Sequence, residues 1–241
     1  MSILGTVTSG RVAKPRKTLI YGCHGDGKST WASKWPKPLF LPTEDGTGDL
    51  NVTRTKLLKS PVEVVEVINE LLAIEDNPYE TVVIDSIDWL EKQIGEALHA
   101  EEFKTGYGQG AIETARRIGV VLKCLDRLIE KGIHVILIGH AEQRTFTTPH
   151  GDAFTQYAPR LTKHSAAVCS DWVDELVFSR QVVKSKVKEV GMKEIRLAVD
   201  TGQRVLYTEG STAFQAKHRA QGLKPNYDLS DVTSYLSDLG L

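Results

Sequence analysis

The sequence predicts one α/β domain with a mostly parallel central sheet, helices on both faces and antiparallel strands towards the C-terminus. Short apolar segments alternate along the chain with segments of helical periodicity. Most of these apolar segments end at a glycine, an acid or a histidine, and three further strand-like segments follow one another late in the chain. Buried strands that alternate with helices are typical of a sheet that is covered on both faces.

The first predicted strand, KTLIYG at 17–22, is apolar and ends at a glycine. A glycine-rich loop follows it, and KSTWASKW at 28–35 predicts a short helix that is stopped by Pro36. The next apolar segment, PLFLPTE at 38–44, predicts the second strand.

A helix is predicted from about 61 to 76 because its start has three signals. Ser60 and Glu63 form a capping box, and Pro61 occupies the first helical position. The segment TVVIDS at 81–86 then predicts a fully buried strand that ends in an acid.

Two long helices are predicted at about 87–102 and 111–131, and Gly132 closes the second as a left-handed cap. The segment HVILIGH at 134–140 predicts another buried strand, and a polar loop is expected from 141 to about 163. Three strands with short turns are predicted after it, at 174–188, 193–200 and 203–209.

Composition is that of an ordinary soluble globular protein. The 241 residues are 41% hydrophobic and 25% charged, with a formal net charge of −1. No apolar run approaches the roughly 20 residues of a membrane span, and no signal peptide is evident, so we expect a cytoplasmic protein without a membrane partner. Three widely spaced cysteines indicate neither a disulfide framework nor a zinc site.

We expect three parts of unequal size along the chain. A basic N-terminal extension covers residues 1–16, the α/β core covers 17–225, and a short acidic helix within 226–241 packs on or near the core. The charge asymmetry permits an anionic partner but is also common on solvated surfaces.

The glycine-rich loop matches the pattern G-x-x-x-x-G-K-[ST] at every position. Its nine residues are Gly22, Cys23, His24, Gly25, Asp26, Gly27, Lys28, Ser29 and Thr30. Such a loop turns its backbone N–H groups towards phosphate oxygens, and the following helix directs its positive end at them. Lys28 is expected to reach the β- and γ-phosphates, Ser29 to ligate Mg²⁺, and Thr30 to touch the α-phosphate. The loop therefore predicts a nucleoside triphosphate and Mg²⁺ as ligands.

Strand-end residues supply the other expected groups of the site. Asp85 is predicted to lie beside the phosphate loop and to hold the Mg²⁺ shell through water. Glu44 is placed to polarise the attacking water, although a strand-end acid can also cap a turn. His140 is placed to sense the γ-phosphate, although it can also bond a neighbouring backbone group.

Lys217 and Arg219 lie two residues apart in AFQAKHRAQGLKP, near the end of the predicted core. On an extended segment both side chains would point the same way. Two such cations could reach a neighbouring subunit's nucleotide, or they could form a solvated basic pair.

Taken together, these motifs resemble those of RecA-like ATPases. The order of the phosphate loop, the strand-end glutamate, the TVVID strand and the VILIGH strand is that of this family, and AKHR resembles the K-x-R finger of RecA-like hexameric helicases. The segments TEDG, IGHAE and AKHRAQGLKP are similar to patterns of small phage ATPases in the RecA-like single-strand annealing recombinase group. The resemblance covers residues 17–225 and implies a RecA-like P-loop NTPase fold.

The resemblance also implies partners. In the wider family, two loops line the DNA path, and here they correspond to 103–112 and 141–163. The expected DNA-binding residues in them are Lys104, Tyr107, Arg144, Phe146, Tyr157, Arg160 and Lys163. Aromatic rings stack on bases and cations follow phosphates, which suits single-stranded DNA, although both segments could be plain surface loops. A head-to-tail homo-oligomer, either a ring or a filament, is expected, and a single-strand-binding protein is a candidate partner.

Two departures from bacterial RecA leave points open. The sensing position holds His140 instead of glutamine, and we expect no additional terminal domains, which weakens any expectation of autonomous strand exchange. Three other functions remain open: a ring helicase or loader ATPase, a small-molecule P-loop kinase, and a protein that binds ATP only as a structural ligand. A helicase usually carries an N-terminal partner domain, which the expected boundaries do not accommodate, and a kinase requires an arginine-rich lid that the sequence does not reveal.

Overall fold

The computed structural model describes residues 7, 9–10, 14–100, 108–147, 151–190 and 193–241, and it describes only the backbone for 184–190, 193–198 and 200. The helices are α1 (Lys28–Ala32), α2 (Pro61–Ala73), α3 (Ile87–Ala100), α4 (Gln109–Glu130), α5 (Lys163–Trp172) and α6 (Val232–Leu239). The strands are β1 (Lys17–Gly22), β2 (Pro38–Pro42), β3 (Thr53–Arg54), β4 (Thr81–Asp85), β5 (His134–Thr147), β6 (Ala153–Pro159), β7 (Glu175–Val190), β8 (Lys193–Tyr207), β9 (Lys217–His218) and β10 (Asn226–Asp228).

One sheet organises the described residues, in the strand order β10-β8-β7-β1-β5-β4-β2-β3. Six neighbouring strands of this order, β7, β1, β5, β4, β2 and β3, run parallel. Strands β8, β9 and β10 join the sheet through antiparallel pairings near the end of the chain. The predicted architecture of a mostly parallel sheet with late antiparallel strands is therefore confirmed.

Alternate residues of each central strand enter two different hydrophobic clusters. Leu19 and Tyr21 of β1 pack under α2, α3, α4 and α5, whereas Ile20 packs under α1 and α6. This period of two places apolar side chains on both faces, and so a wholly apolar strand is required there.

The starts of the predicted helices follow from their sequence signals. Ser60 Oγ accepts a hydrogen bond from the N–H of Glu63 at 3.2 Å, and Pro61 is the first residue of α2. The helix ends at Ala73, three residues earlier than predicted.

The segment after His140 differs from the polar loop that we expected at 141–163. Strand β5 continues to Thr147 and pairs antiparallel with β6, and the pairing runs from Ala141 opposite Pro159 to Thr147 opposite Ala153. Helix α5 then begins at Lys163. A two-stranded ribbon has little apolar periodicity because much of both faces meets water, and so the sequence pattern did not indicate it.

The two predicted strands at 193–200 and 203–209 form one strand, β8. It pairs with β7 over almost its whole length, with one irregularity between Gln181 and Val183. Strand β10, which lies in the segment 226–241, pairs with β8 and so belongs to the central sheet. Helix α6 packs its buried Tyr235 against Trp31.

Candidate nucleotide site

The phosphate loop joins β1 to α1 at the edge of the sheet where the parallel strands end. Gly22 lies opposite His140 on one side and Ser179 on the other. A Cβ atom at position 22 would lie 2.6 Å from the carbonyl oxygen of Ser179, so only glycine fits. Gly27 has a φ of 86°, in the left-handed region that glycine occupies without strain.

The ammonium group of Lys28 lies inside this loop. Its Nζ donates hydrogen bonds to the carbonyl oxygens of Gly22 at 3.1 Å and Cys23 at 2.8 Å. Burial lowers the pKa of Lys28, and the nearby carboxylates of Asp26 and Asp85 partly oppose that effect. The loop therefore holds a desolvated cation that a phosphate oxygen can take over from the two carbonyl groups.

Asp26 fixes the shape of the loop. Its Oδ2 accepts a hydrogen bond from the N–H of Cys23 at 2.7 Å, and the N–H of Asp26 bonds the carbonyl of Cys23 at 3.3 Å. Burial raises the pKa of Asp26. Cys23 and His24 lie on the exposed side of the loop, and Thr30 faces the adjoining cavity.

Ser29 and Asp85 form a direct pair, as the predicted metal site requires. Ser29 Oγ donates to Asp85 Oδ2 at 2.8 Å, and Asp85 is 5% exposed. Burial raises the pKa of Asp85, which the hydrogen bond from Ser29 opposes. A hydroxyl and a carboxylate are the hard oxygen donors that Mg²⁺ prefers, and they fit an ion that takes its remaining ligands from phosphate and water. Among the described residues no group of three or more acidic, histidine or cysteine side chains forms an alternative metal site.

Glu44 and His140 meet on the other side of the same cavity. Glu44 Oε1 lies 3.8 Å from His140 Nε2. Burial raises the pKa of Glu44. The His140 ring also packs against the ring of His24, with 4.1 Å between the centroids.

Sequence reasoning missed Asp88, a buried carboxylate that holds His140. Asp88 Oδ1 accepts from the backbone N–H of His140 at 3.1 Å, and Oδ2 lies 3.0 Å from His140 Nδ1. Arg160 donates to Asp88 Oδ2 from Nε at 3.1 Å and from Nη2 at 2.5 Å. Although burial raises the pKa of Asp88, the bonds from His140 and Arg160 lower it to about 2. The signal in the sequence was an acid in the first turn of α3, which is common at helix starts and so not distinctive.

These groups line one cavity of about 530 Å³. It is lined by loop residues 24, 25 and 27–30, the strand-end groups Glu44, Asp85 and His140, residues of the 45–50 turn, and Arg204 of β8. A smaller cavity of about 200 Å³ shares Gly27, Thr30 and Arg204 with it and continues to Asp228 and Ser230. The smaller cavity has fewer charged groups in its lining than the larger one.

The residues expected to bind DNA are distributed around the β5–β6 hairpin. Arg144 bonds Glu142 and the carbonyl of Leu161, while Phe146 stacks on Phe154 at 6.0 Å. The ring of Tyr157 packs on Phe178 at 5.5 Å and so lies among core aromatic residues.

The remaining expected DNA contacts lie around the start of α5 or outside the described residues. Lys163 is exposed at the first position of α5, whereas Arg160 is bonded to Asp88. Lys104 and Tyr107 lie outside the described residues.

Lys217 and Arg219 lie away from the nucleotide cavity of their own chain. His218 pairs with Glu175 at the start of β7, and Arg219 Nη1 lies 3.3 Å from Asp174 Oδ1. The phosphate loop is at the opposite end of β1, where Gly22 pairs with Ser179 of β7. Neither cation lines the cavity that holds Lys28.

A family model described as an AAA domain matches residues 14–220. Among solved structures, one titled "Crystal structure of the RadB recombinase" is 20% identical, with a TM-score of 0.48, and the match covers 90% of this chain and 86% of that chain. No curated protein sequence matches this chain significantly. Within the described part of the chain, no helix has the length and apolarity needed to cross a membrane. The matched family model spans most of the chain, which therefore belongs to the AAA domain family.

Proposed function

We propose that this protein is a Mg²⁺-dependent ATPase that binds single-stranded DNA and promotes recombination or annealing as an oligomer. One observation carries the proposal: Lys28, the Ser29–Asp85 pair and the Glu44–His140 pair converge on one cavity at the carboxyl edge of the sheet. Ligands of parallel α/β sheets bind at this edge.

The triphosphate end of ATP lies against the phosphate loop in this proposal. Lys28 leaves the carbonyl groups of Gly22 and Cys23 and bonds the β- and γ-phosphates. Ser29 and Asp85 would hold Mg²⁺, which would neutralise charge on the phosphate oxygens. The nucleoside end lies in the smaller cavity beside Thr30 and Arg204.

Glu44 supplies the group that distinguishes an ATPase from a protein that only binds ATP. Its carboxylate lies in the cavity lining and next to His140 Nε2, where it can accept a proton from the attacking water. The small-molecule kinase alternative requires arginines over the nucleotide. Arg116 and Arg117, the pair that could be recruited, both bond Glu113 on α4.

Single-stranded DNA is proposed as the partner on two grounds, the resemblance to single-strand annealing recombinases and the groups around the hairpin. Lys163 and the exposed face of Arg160 provide cations, and Phe146 provides an aromatic ring. The ring helicase or loader ATPase remains the alternative, since it uses the same nucleotide site.

The first experiment measures ATP hydrolysis by the purified protein, with and without single-stranded DNA, for the wild type and for Lys28→Ala and Lys217→Ala. We expect DNA to stimulate hydrolysis and Lys28→Ala to reduce kcat/KM at least about 100-fold. Lys217→Ala is expected to retain ATP binding but lose turnover. The exposed Lys123 of α4 lies outside every cavity described above, and Lys123→Ala serves as the control.

Two results would count against the proposal. If ATP hydrolysis is unchanged by DNA and by Lys217→Ala, the proposal of an oligomeric recombinase would be excluded. A search for a small-molecule phosphate acceptor would follow. Tight ATP binding without turnover would favour a structural role for the nucleotide.

A further inference from the structure

A large groove lies beside the nucleotide cavity, and we call it the hairpin groove. Its volume is about 930 Å³, and its lining includes Arg144, Phe146, Arg160, Thr162 and Lys163. Two acids also line it. Glu142 is paired with Arg144, and buried Glu91 accepts hydrogen bonds from the N–H and hydroxyl of Thr162. Arg160 and Lys163 are the cations that the groove can offer to a ligand, and Arg160 is at the same time paired with buried Asp88.

Arg160 lines the hairpin groove and also contacts residues beside the nucleotide cavity. Its side chain is 43% exposed and lines the hairpin groove, but it does not line the nucleotide cavity. On its inner side, Nε and Nη2 donate to Asp88 Oδ2, and Nη2 lies 3.2 Å from His140 Nδ1. Among the described residues Nη1 has no hydrogen-bond partner, and its two N–H groups can serve a ligand in the groove.

Asp88 contacts His140 as well as Arg160. The carboxylate is 4% exposed and bonds both the backbone N–H and the ring Nδ1 of His140. The opposite ring nitrogen, Nε2, lies 3.8 Å from Glu44 Oε1. Arg160, Asp88, His140 and Glu44 therefore form a continuous chain of contacts from the groove to the nucleotide cavity, and we call it the groove–site chain.

We propose that Arg160 and Asp88 are positioning residues through which a polyanionic single strand in the hairpin groove controls His140 and Glu44. The inference rests on the proposed function, because it takes single-stranded DNA as the occupant of the groove. A backbone phosphate and the Asp88 carboxylate compete for the same guanidinium group. When the phosphate accepts hydrogen bonds from Arg160, the bonds from Arg160 to Asp88 weaken. Asp88 then bonds His140 more strongly, and the His140 ring moves relative to Glu44 and the γ-phosphate.

The test measures ATP hydrolysis and DNA affinity for four variants, with a thymidine oligonucleotide of about 30 nucleotides as the probe. Arg160→Ala removes the link, Arg160→Lys keeps the charge without the two-donor fork, and Asp88→Asn removes the buried charge. Lys163→Ala is the matched control because it removes a groove cation that has no bond to Asp88.

Each variant has a distinct expected result. In Arg160→Ala and Asp88→Asn, the ratio of kcat with saturating DNA to kcat without DNA falls to about 1, while the KM for ATP stays within about twofold. Asp88→Asn binds DNA at least as tightly as the wild type, because the Arg160 guanidinium no longer has a competing carboxylate beside it. Arg160→Lys retains DNA binding but loses most of the stimulation. Lys163→Ala requires more DNA for half-maximal stimulation and reaches the wild-type ratio at saturation.

The outcomes separate this inference from the proposed function. Full stimulation at saturating DNA in folded Asp88→Asn or Arg160→Lys, beside a stimulated wild type, overturns the groove–site chain and leaves the proposed function intact. A wild type that neither binds DNA nor responds to it overturns both. Thermal unfolding of each variant identifies any that fail to fold, and Arg160→Lys, which keeps its charge and most of its volume, then decides the outcome.

Discussion

Single residues of the nucleotide cavity owe their chemistry to partial removal from water. Lys28 is 7% exposed and Asp85 is 5% exposed, yet each has polar partners that a nucleotide and a metal ion can replace. Burial lowers the pKa of Lys28 and raises that of Asp85. Both pKa shifts reflect the free-energy cost of keeping a buried group charged in the free protein. Phosphate and Mg²⁺ would compensate that cost on binding.

The Ser29 hydroxyl gives a prediction about metal dependence. Ser29→Ala removes the donor to Asp85 and a metal ligand, but leaves Lys28 and the loop backbone in place. We expect the variant to bind metal-free ATP as the wild type does and to lose the gain in affinity that Mg²⁺ provides, by about tenfold or more. Titration of a fluorescent ATP analogue with and without Mg²⁺ measures this.

Ser33 provides the control for that experiment. It lies just after α1, and its hydroxyl is exposed and bonds the carbonyl of Thr30. Ser33→Ala should respond to Mg²⁺ as the wild type does. An unchanged Mg²⁺ effect in Ser29→Ala would contradict the proposed metal site.

Buried Glu175 gives a prediction about pH. It lies at the start of β7, accepts from Thr18 Oγ1 at 3.0 Å and pairs with Arg16 at 3.4 Å. Burial raises its pKa to about 7 from an ordinary value of 4.5. Between these two values the unfolded chain has released the proton and the folded chain still holds it, so stability falls as pH rises. The loss reaches about 3 kcal/mol, since each pKa unit corresponds to about 1.4 kcal/mol.

Glu175→Gln should remove this loss because an amide does not titrate. Urea unfolding at several pH values between about 4.5 and 7.5 measures the difference in free energy of unfolding between variant and wild type. We expect the difference to move in favour of the variant as pH rises. Two parallel pH profiles would show that Glu175 has an ordinary pKa.

At the scale of elements, the carboxyl ends of the parallel strands carry the candidate site, and helices pack on both faces of the sheet. Strands β1, β2 and β4 end in the candidate site residues or just before them, β5 carries His140 where it leaves the parallel sheet, and apolar side chains on both faces fix the register. The β5–β6 hairpin extends β5 beyond His140 and brings Arg160 back opposite that residue, where its N–H bonds the His140 carbonyl at 2.8 Å. The hairpin is therefore built onto the edge of the sheet that carries the candidate site.

Helix α6 gives a prediction about stability. Tyr235 is fully buried, and its ring centroid lies 5.3 Å from that of Trp31 and 6.4 Å from that of Trp35. Tyr235→Ala should lower the free energy of unfolding by about 3–5 kcal/mol, because it leaves a cavity between α6 and α1. Chemical denaturation measures it.

Ser237, on the exposed side of α6, is the matched position. Ser237→Ala should change the free energy of unfolding by less than about 0.5 kcal/mol. A similarly small effect of Tyr235→Ala would mean that α6 does not pack on the core in solution.

At the scale of the whole molecule, the nucleotide cavity and the Lys217–Arg219 segment lie on different parts of the surface. Gly22 and Ser179 mark one end of the β1–β7 pair, and His218 lies beside the other end. Arg219 is bonded to Asp174 in its own chain, whereas Lys217 forms no ion pair with any described residue. A head-to-tail assembly would bring these two surfaces together between subunits.

Mixing two inactive variants tests that assembly. Lys217→Ala keeps the nucleotide site and lacks the cation, whereas Lys28→Ala keeps the cation and lacks the site. Neither should hydrolyse ATP alone, and an equimolar mixture should recover roughly a quarter of the wild-type rate, since one interface in four pairs an intact site with an intact Lys217. Measurement of ATP hydrolysis against mixing ratio gives the result. An inactive mixture that still forms oligomers would exclude a trans role for Lys217.

The sequence by itself determined the phosphate loop, the central strands and helices α1 to α4, but it did not indicate α5. Each is encoded in a short contiguous segment: the glycine spacing around Lys28, the apolar strand that ends at Asp85, and the cap at Ser60. Such signals depend on local geometry and burial, which a few neighbouring residues specify. The helix boundaries were predicted less accurately, since α2 ends three residues before its predicted end.

Only the tertiary structure decided the groove–site chain, the β5–β6 hairpin and the position of Arg219. Asp88 meets His140 across 52 residues and Arg160 across 72, and no local pattern marks such a contact. The hairpin was missed because a ribbon with water on much of both faces has no hydrophobic period. The chemistry of phosphate binding is thus local in the sequence. The contacts that would regulate it arise only when distant strands and helices pack together.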